Sequence, residues 1–106
     1  MTNEKMLVEF RKKNQDELLE VWIPSCLERE DFDKLIQFVD KAHPIKIVEI
    51  KDMHIACIGT IEVSGHMVKL MFDDLFGTTF FATTRESEGT VRQIGNNLEE
   101  WVHNIG

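Results

Sequence analysis

Apolar and polar positions switch period three times along the chain. In "KMLVEFRK" (5–12) they alternate, with Met6, Val8 and Phe10 on one face and Leu7, Glu9 and Arg11 on the other, which predicts a half-buried strand. "NQDE" (14–17) reads as a turn, and "LLEVWIP" (18–24) as a second strand that pairs with the first as a hairpin. "SCLE" (25–28) has the Ser-x-x-Glu form of a capping box, and Phe32, Leu35, Ile36 and Val39 follow at helical spacing. Glu30 and Lys34 stand four residues apart, an ion pair on the wet side of that helix. Pro44 ends the helix by His43, because the residue before a proline avoids the α region.

From Ile45 the period is two again: "IKIVEI", "IACIGTIEV", "HMVKLMF" and "TTFFATT" predict four strands, the middle two joined through Ser64-Gly65 as a two-residue turn. Ser87 opens a last helix with Val91, Ile94, Leu98, Trp101, Val102 and Ile105 on one stripe. The expected fold is α+β: an antiparallel sheet of five to six strands in the order ββαββββα, with helices near 27–42 and 88–104 packed on one face. The 44–63 segment could also form one long bent strand. The other sheet face would present Thr60, Glu62, Lys69 and Met71. Trp22 alternates with Leu19, Val21 and Ile23 and is expected at the edge of the core.

Composition narrows the class of function. The 106 residues suit one domain, 1–106, and a 42% apolar fraction with seven Phe and two Trp supports a packed core. Nineteen acids against 12 Lys and Arg give a net charge of −7, which repels a phosphate backbone, and the single basic cluster, Arg11-Lys12-Lys13, lacks interleaved aromatics. No nucleic-acid partner is expected. The longest uncharged run, 75–84, is far short of a membrane span, and the first ten residues show no leader pattern, so a cytoplasmic protein is expected. Cys26 and Cys57 sit in apolar sequence without a neighbouring His or Lys to lower their pKa and read as inert buried thiols.

The candidate chemistry concentrates in "MVKLMFDDLFGTTFFATT" (67–84), where Asp73 and Asp74 interrupt an apolar, β-prone stretch. Asp-Asp-Leu-Phe-Gly between two strands has hairpin-loop composition: Asp bonds a backbone N–H two residues on, and Gly77 takes a positive φ. A calcium loop needs further oxygen ligands at regular offsets, and 75–81 offers few. An acid–base pair needs both carboxylates in one cleft, whereas adjacent strand residues face opposite sides. The turn leaves Phe76 unexplained. Its ring either folds back onto the sheet or anchors a contact surface. His43, expected as a helix C-cap, and His54, His66 and His103 are scattered; His54 and Cys57, at an odd offset, cannot share a metal. No nucleophile–base pair, ligand set or phosphate-binding glycine loop appears, so no catalytic, metal or cofactor site is expected.

The acidity is uneven. Residues 14–40 hold eight acids against Arg29 and Lys34, and residues 73–106 hold six against Arg85 and Arg92. Such a surface either keeps the protein soluble or steers a basic partner. The segment "KLMFDDLFGTTFFATTRESEGTVRQIGNNLEEWV" (69–102) resembles immunity proteins of bacterial contact-dependent inhibition and polymorphic toxin systems. That resemblance implies a non-enzymatic inhibitor that binds a toxin domain, often a basic nuclease, and blocks its active site. From the charge pattern, Asp73, Asp74, Phe76, Glu86 and Glu88 are the expected partner-binding residues, with the acidic helix 28–40 as the rival surface. The chain would be a monomer or weak dimer. The alternative is a small ligand-binding or regulatory domain, with a dimer through its open sheet face as its structural variant.

Overall fold

The computed structural model describes residues 8–12, 18–24, 26, 28–53 and 56–105. Six strands, β1 (Glu9–Arg11), β2 (Glu20–Ile23), β3 (Ile45–Met53), β4 (Ala56–Val63), β5 (His66–Asp73) and β6 (Gly77–Ala82), form one antiparallel sheet in the order β1-β2-β6-β5-β4-β3. The chain leaves β2, crosses through α1 (Arg29–Ala42) to the far edge, and meanders back until β6 zips onto β2. The second helix, α2 (Ser87–Ile105), follows β6. The α+β scheme with two helices on one face holds, and 44–63 is two strands rather than one.

Alternation along the strands sorts the side chains. Leu19, Val21 and Ile23, then Ile61, Val68, Leu70, Phe72 and Phe80, face the helices and are buried with Phe32, Leu35 and Val39 of α1 and Val91, Ile94 and Leu98 of α2. Phe10 lies opposite Val21 in the register and packs against this core from the β1 edge. At about 1.5–3 kcal/mol for each large side chain taken out of water, this layer supplies the main drive for folding. Among the described residues no helix covers the opposite face, which carries half-buried Trp22, Met71 and Phe81 beside exposed Ile58, Met67 and Lys69.

The start of α1 differs from expectation, whereas α2 opens at Ser87 as the sequence suggested. α1 begins at Arg29, with Glu28 as an extended N-cap (φ −105°, ψ 144°) that makes no side-chain cap bond. Ser25, half of the expected capping box, lies outside the described residues, as do the 14–17 turn, Met6, Leu7 and His54. A reciprocal box does form before α2: the Ser87 backbone N–H donates to Thr84 Oγ1 at 3.1 Å, and the Thr84 N–H donates to Ser87 Oγ at 2.9 Å. Serine takes the place of the usual glutamate, so the pattern was invisible in "TRES". At the other end of α1, His43 is the C-cap, as expected, and its ring lies 2.6 Å from the Asn97 amide of α2.

The strand β3 departs most from a plain period of two. Ile47 pairs with Ile61 and Glu49 with Thr60, so Val48 is an extra residue, a β-bulge. Without it, Ile50 would face away from Ile45 and Ile47. The bulge returns Ile50 to the helix side and sends Glu49 and Lys51 to the open face, where both border the same shallow depression. Asp52 then reaches α1, accepting two bonds from Arg29 at 3.0 and 2.6 Å.

Candidate functional site

The β5–β6 turn is built by local chemistry. Asp73 pairs across the ladder with Gly77, leaving Asp74, Leu75 and Phe76 as the loop. Asp73 Oδ1 accepts the Leu75 N–H at 2.7 Å, an Asx-type bond two residues on, as the sequence suggested. Gly77 takes φ +93°, and a Cβ there would collide with the Ile23 carbonyl oxygen and Pro24, so only glycine fits. A second tether comes from far along the chain: the Trp22 indole N–H donates to the Phe76 carbonyl oxygen at 2.6 Å. Trp22 is itself fixed by the Arg11 guanidinium, 4.3 Å from its ring centroid and paired with Glu20 at 2.8 Å.

The backbone of the tip is thus held while its side chains are not covered. Leu75 is 72% exposed and Phe76 65% exposed. Phe76 does not fold back onto the sheet. Asp73 is half-buried and Asp74 exposed, so a clamped turn presents two apolar side chains next to two carboxylates. Sequence reasoning named Asp73, Asp74 and Phe76 but not Leu75, the most exposed large apolar residue of the described chain, although its place inside the turn signal was readable. Trp22 was missed as a tether because nothing in the local pattern links residues 54 positions apart.

Glu86 and Glu88 are not brought to this tip. They follow β6 and lie at the other end of the sheet. Glu86 is exposed. Glu88 is part of the scaffold: its Oε2 accepts the Leu19 N–H at 2.8 Å and lies 3.4 Å from Lys12 Nζ and 3.5 Å from Arg85. The Leu19 amide, followed by Lys12 and Arg85, holds the Glu88 carboxyl below its ordinary range. With two cations beside it, Glu88 adds little negative field outside the fold.

A second feature lies between α1 and the β3 side of the sheet. Arg29–Asp52 ties one end of α1 to β3, and Asp40 Oδ1, accepting the Ile45 N–H at 2.8 Å, ties the other. Between these ties a groove of about 350 Å³ opens, walled by Phe32 and Ile36 of α1 and by Ile45, Ile47 and Ile50 of β3, with Cys57 at its floor. Burial pushes the Cys26 and Cys57 thiols above their ordinary range, and Arg29 offsets this only partly at Cys57. Both cysteines are free.

Among the described residues, no three His, Cys, Asp or Glu side chains group as a metal site, and no helix is long and apolar enough to cross a membrane. No family model, no curated protein and no solved structure matches the chain.

Proposed function

We propose that this chain is a non-enzymatic inhibitor of the immunity type, which neutralises a basic toxin domain such as a nuclease by docking the β5–β6 tip over its active site. The observation that carries this reading is the tip itself: Leu75 and Phe76, 72% and 65% exposed, on a turn held by two hydrogen bonds and an obligate glycine beside Asp73 and Asp74. Solvating two large apolar side chains at a hairpin tip does nothing for the fold. Presented rigidly to a partner, they are the kind of anchor that dominates interface energy, because little ordering entropy remains to be lost. The flanking carboxylates suit a cationic cleft that binds phosphates, and the overall charge of −7 speeds the encounter. The pair is poorly arranged for acid–base work, since the Asp73 carboxylate is occupied by the Leu75 amide and Asp74 stands in solvent.

The test is genetic. The open reading frame immediately upstream is expressed alone and together with this chain. Toxicity of the upstream product, rescued by co-expression, is the expected result. Charge reversal of Asp73 and Asp74 then weakens rescue and flattens the salt dependence of binding. A harmless upstream product that this chain fails to retain in a pull-down overturns the reading.

The groove between α1 and β3 favours a second reading, a small ligand-binding or regulatory domain, because about 350 Å³ with mainly apolar walls is within the range of small-molecule sites. A panel of apolar fluorescent probes, with Ile36→Trp as a blocking variant, separates the two: groove binding without toxin rescue supports the second.

A further inference from the structure

The two edges of the sheet are finished differently. β1 is three residues long, carries charged Glu9 and Arg11, and turns its one apolar side chain onto the core. Short, charged edges of this kind resist pairing with other strands. β3 is nine residues long and leaves Ile47, Val48 and Ile50 exposed at 60%, 50% and 41%. Among the described residues its outer side has no strand neighbour. Charged residues are present on β3, but among the described residues Lys46, Glu49 and Lys51 form no ion pair, although Asp52 does.

We propose that β3 is a self-association edge: two copies of the chain pair antiparallel through β3, with the two-fold axis at Ile50, into one continuous twelve-stranded sheet.

The register follows from the bulge and from charge. A two-fold axis that sets equivalent strands antiparallel side by side runs perpendicular to the sheet, so it keeps the open faces of both copies on the same side. Directly opposed residues must therefore share a face. The bulge at Val48 breaks this phase, so an axis at Val48 would oppose helix-side Ile47 to open-face Glu49. Centring on Glu49, Lys51 or Asp52 sets each of these charges against its own copy, which is unfavourable. Centring on Ile50 sets Glu49 opposite Lys51 of the second copy and Lys51 opposite its Glu49, giving two cross-strand ion pairs on the open face. On the helix side, Ile50 meets its symmetry mate and is drawn out of water.

Gly59 accommodates this arrangement. Ile50 is its ladder partner, and a Cβ at Gly59 would lie 2.9 Å from both the Ile50 Cγ1 and the Glu49 carbonyl oxygen. The missing side chain lets β3 lie close to β4, with Ile50 half-exposed at the outer edge. Pairing would also wall the open side of the groove, whose β3 residues Ile47 and Ile50 are among the exposed ones. This interface is an edge strand, whereas the β5–β6 tip lies at the end of two interior strands, so a dimer and a tip-bound partner are compatible.

The experiment is sedimentation equilibrium on the full chain from about 10 to 500 µM, a range that brackets micromolar association. A concentration-dependent dimer is expected. Glu49→Lys sets lysine opposite Lys51 of the other copy twice, and Lys51→Glu sets glutamate opposite Glu49 twice; each raises the dissociation constant at least tenfold. The double swap Glu49→Lys/Lys51→Glu restores both pairs in reverse and recovers the dimer. Both positions are exposed, and circular dichroism verifies that each variant is folded. As a second readout, Ile50→Cys oxidised in air gives a covalent dimer, because directly opposed residues lie within disulfide reach. A monomer throughout the range, a dimer indifferent to the single swaps, or no cross-link at position 50 overturns the proposal.

Discussion

The turns at the two ends of β5 solve the same problem in different ways. Ser64-Gly65 joins β4 to β5 with two residues, at φ 53° and 81°, and both are small and solvated. These are the angles of a type I′ turn, whose twist matches that of the flanking strands, and a hairpin needs nothing more. Asp74-Leu75-Phe76 joins β5 to β6 with three residues, exposes two of them as large apolar side chains, and needs a carboxylate, an indole and an obligate glycine to hold its shape. The surplus in the second turn has no return in the folded chain alone, and it is the reason for proposing recognition at that end of the sheet.

The two glycines give the largest predicted contrast. Gly77→Ala forces a Cβ into the Ile23 carbonyl oxygen and Pro24 at φ +93°, which strains the β2–β6 seam as well as the turn. A loss on the order of 3–5 kcal/mol is expected in urea denaturation. Gly65→Ala meets nothing within 4 Å and is charged only for its φ of 81°, about 1 kcal/mol. Equal losses would mean that the β5–β6 turn is no more constrained than its counterpart.

Trp22→Phe keeps the ring but removes the indole N–H that reaches the Phe76 carbonyl. Water can replace that bond at an exposed tip, so the cost is about 1 kcal/mol. The sharper readout is hydrogen exchange. The Leu75, Phe76 and Gly77 amides should exchange faster in the variant, while Ser64 to His66 are unchanged.

How much of this contrast was readable depends on range along the chain. Asp73 to Leu75 spans two residues and Ser64-Gly65 is contiguous, so composition revealed both turns. The strand faces followed from alternation wherever the ladder is regular, which covers β2, β4, β5 and β6. β3 defeated that method because one extra residue at Val48 reverses the phase, and a strict period of two over "IKIVEI" puts Ile50 on the wrong face. The Trp22 tether, the Arg29–Asp52 bridge and the groove beside that bridge depend on pairings set by the whole topology, and no local window contains them. Glu88 looked like a free surface acid for the same reason: Leu19 is 69 residues away.

Acid loosens the scaffold at both ends of the sheet. The Glu88 carboxyl titrates below its ordinary range because the charged form accepts the Leu19 amide and faces Lys12 and Arg85. A depressed folded-state pKa means that the contribution is complete above the unfolded carboxylate value and is lost as pH falls through the folded one. Asp52, held low by its bonds to Arg29, acts in the same direction. Thermal stability should therefore fall as pH drops below the ordinary glutamate range. Glu88→Gln should reduce that pH dependence and be the less stable chain at neutral pH. A variant with an unchanged slope would remove Glu88 from the scaffold.

The smallest expected change in stability carries the most weight for function. Leu75→Ser/Phe76→Ser replaces the two exposed apolar side chains and leaves every tether in place, because Phe76 contributes its carbonyl and Leu75 its amide, and both are backbone groups. With 72% and 65% of these residues already in water, little burial is lost, and the shift should stay within about 0.5 kcal/mol of the parent chain. Retention of a toxin domain in a pull-down, by contrast, should drop sharply, since truncating central anchors costs about 2 kcal/mol or more each. If the double variant instead loses stability comparable to a core truncation, the two side chains pack against the domain and the tip is an ordinary turn. If stability and partner retention are both unchanged, the recognition surface lies elsewhere, and the acidic outer side of α1 becomes the surface to test.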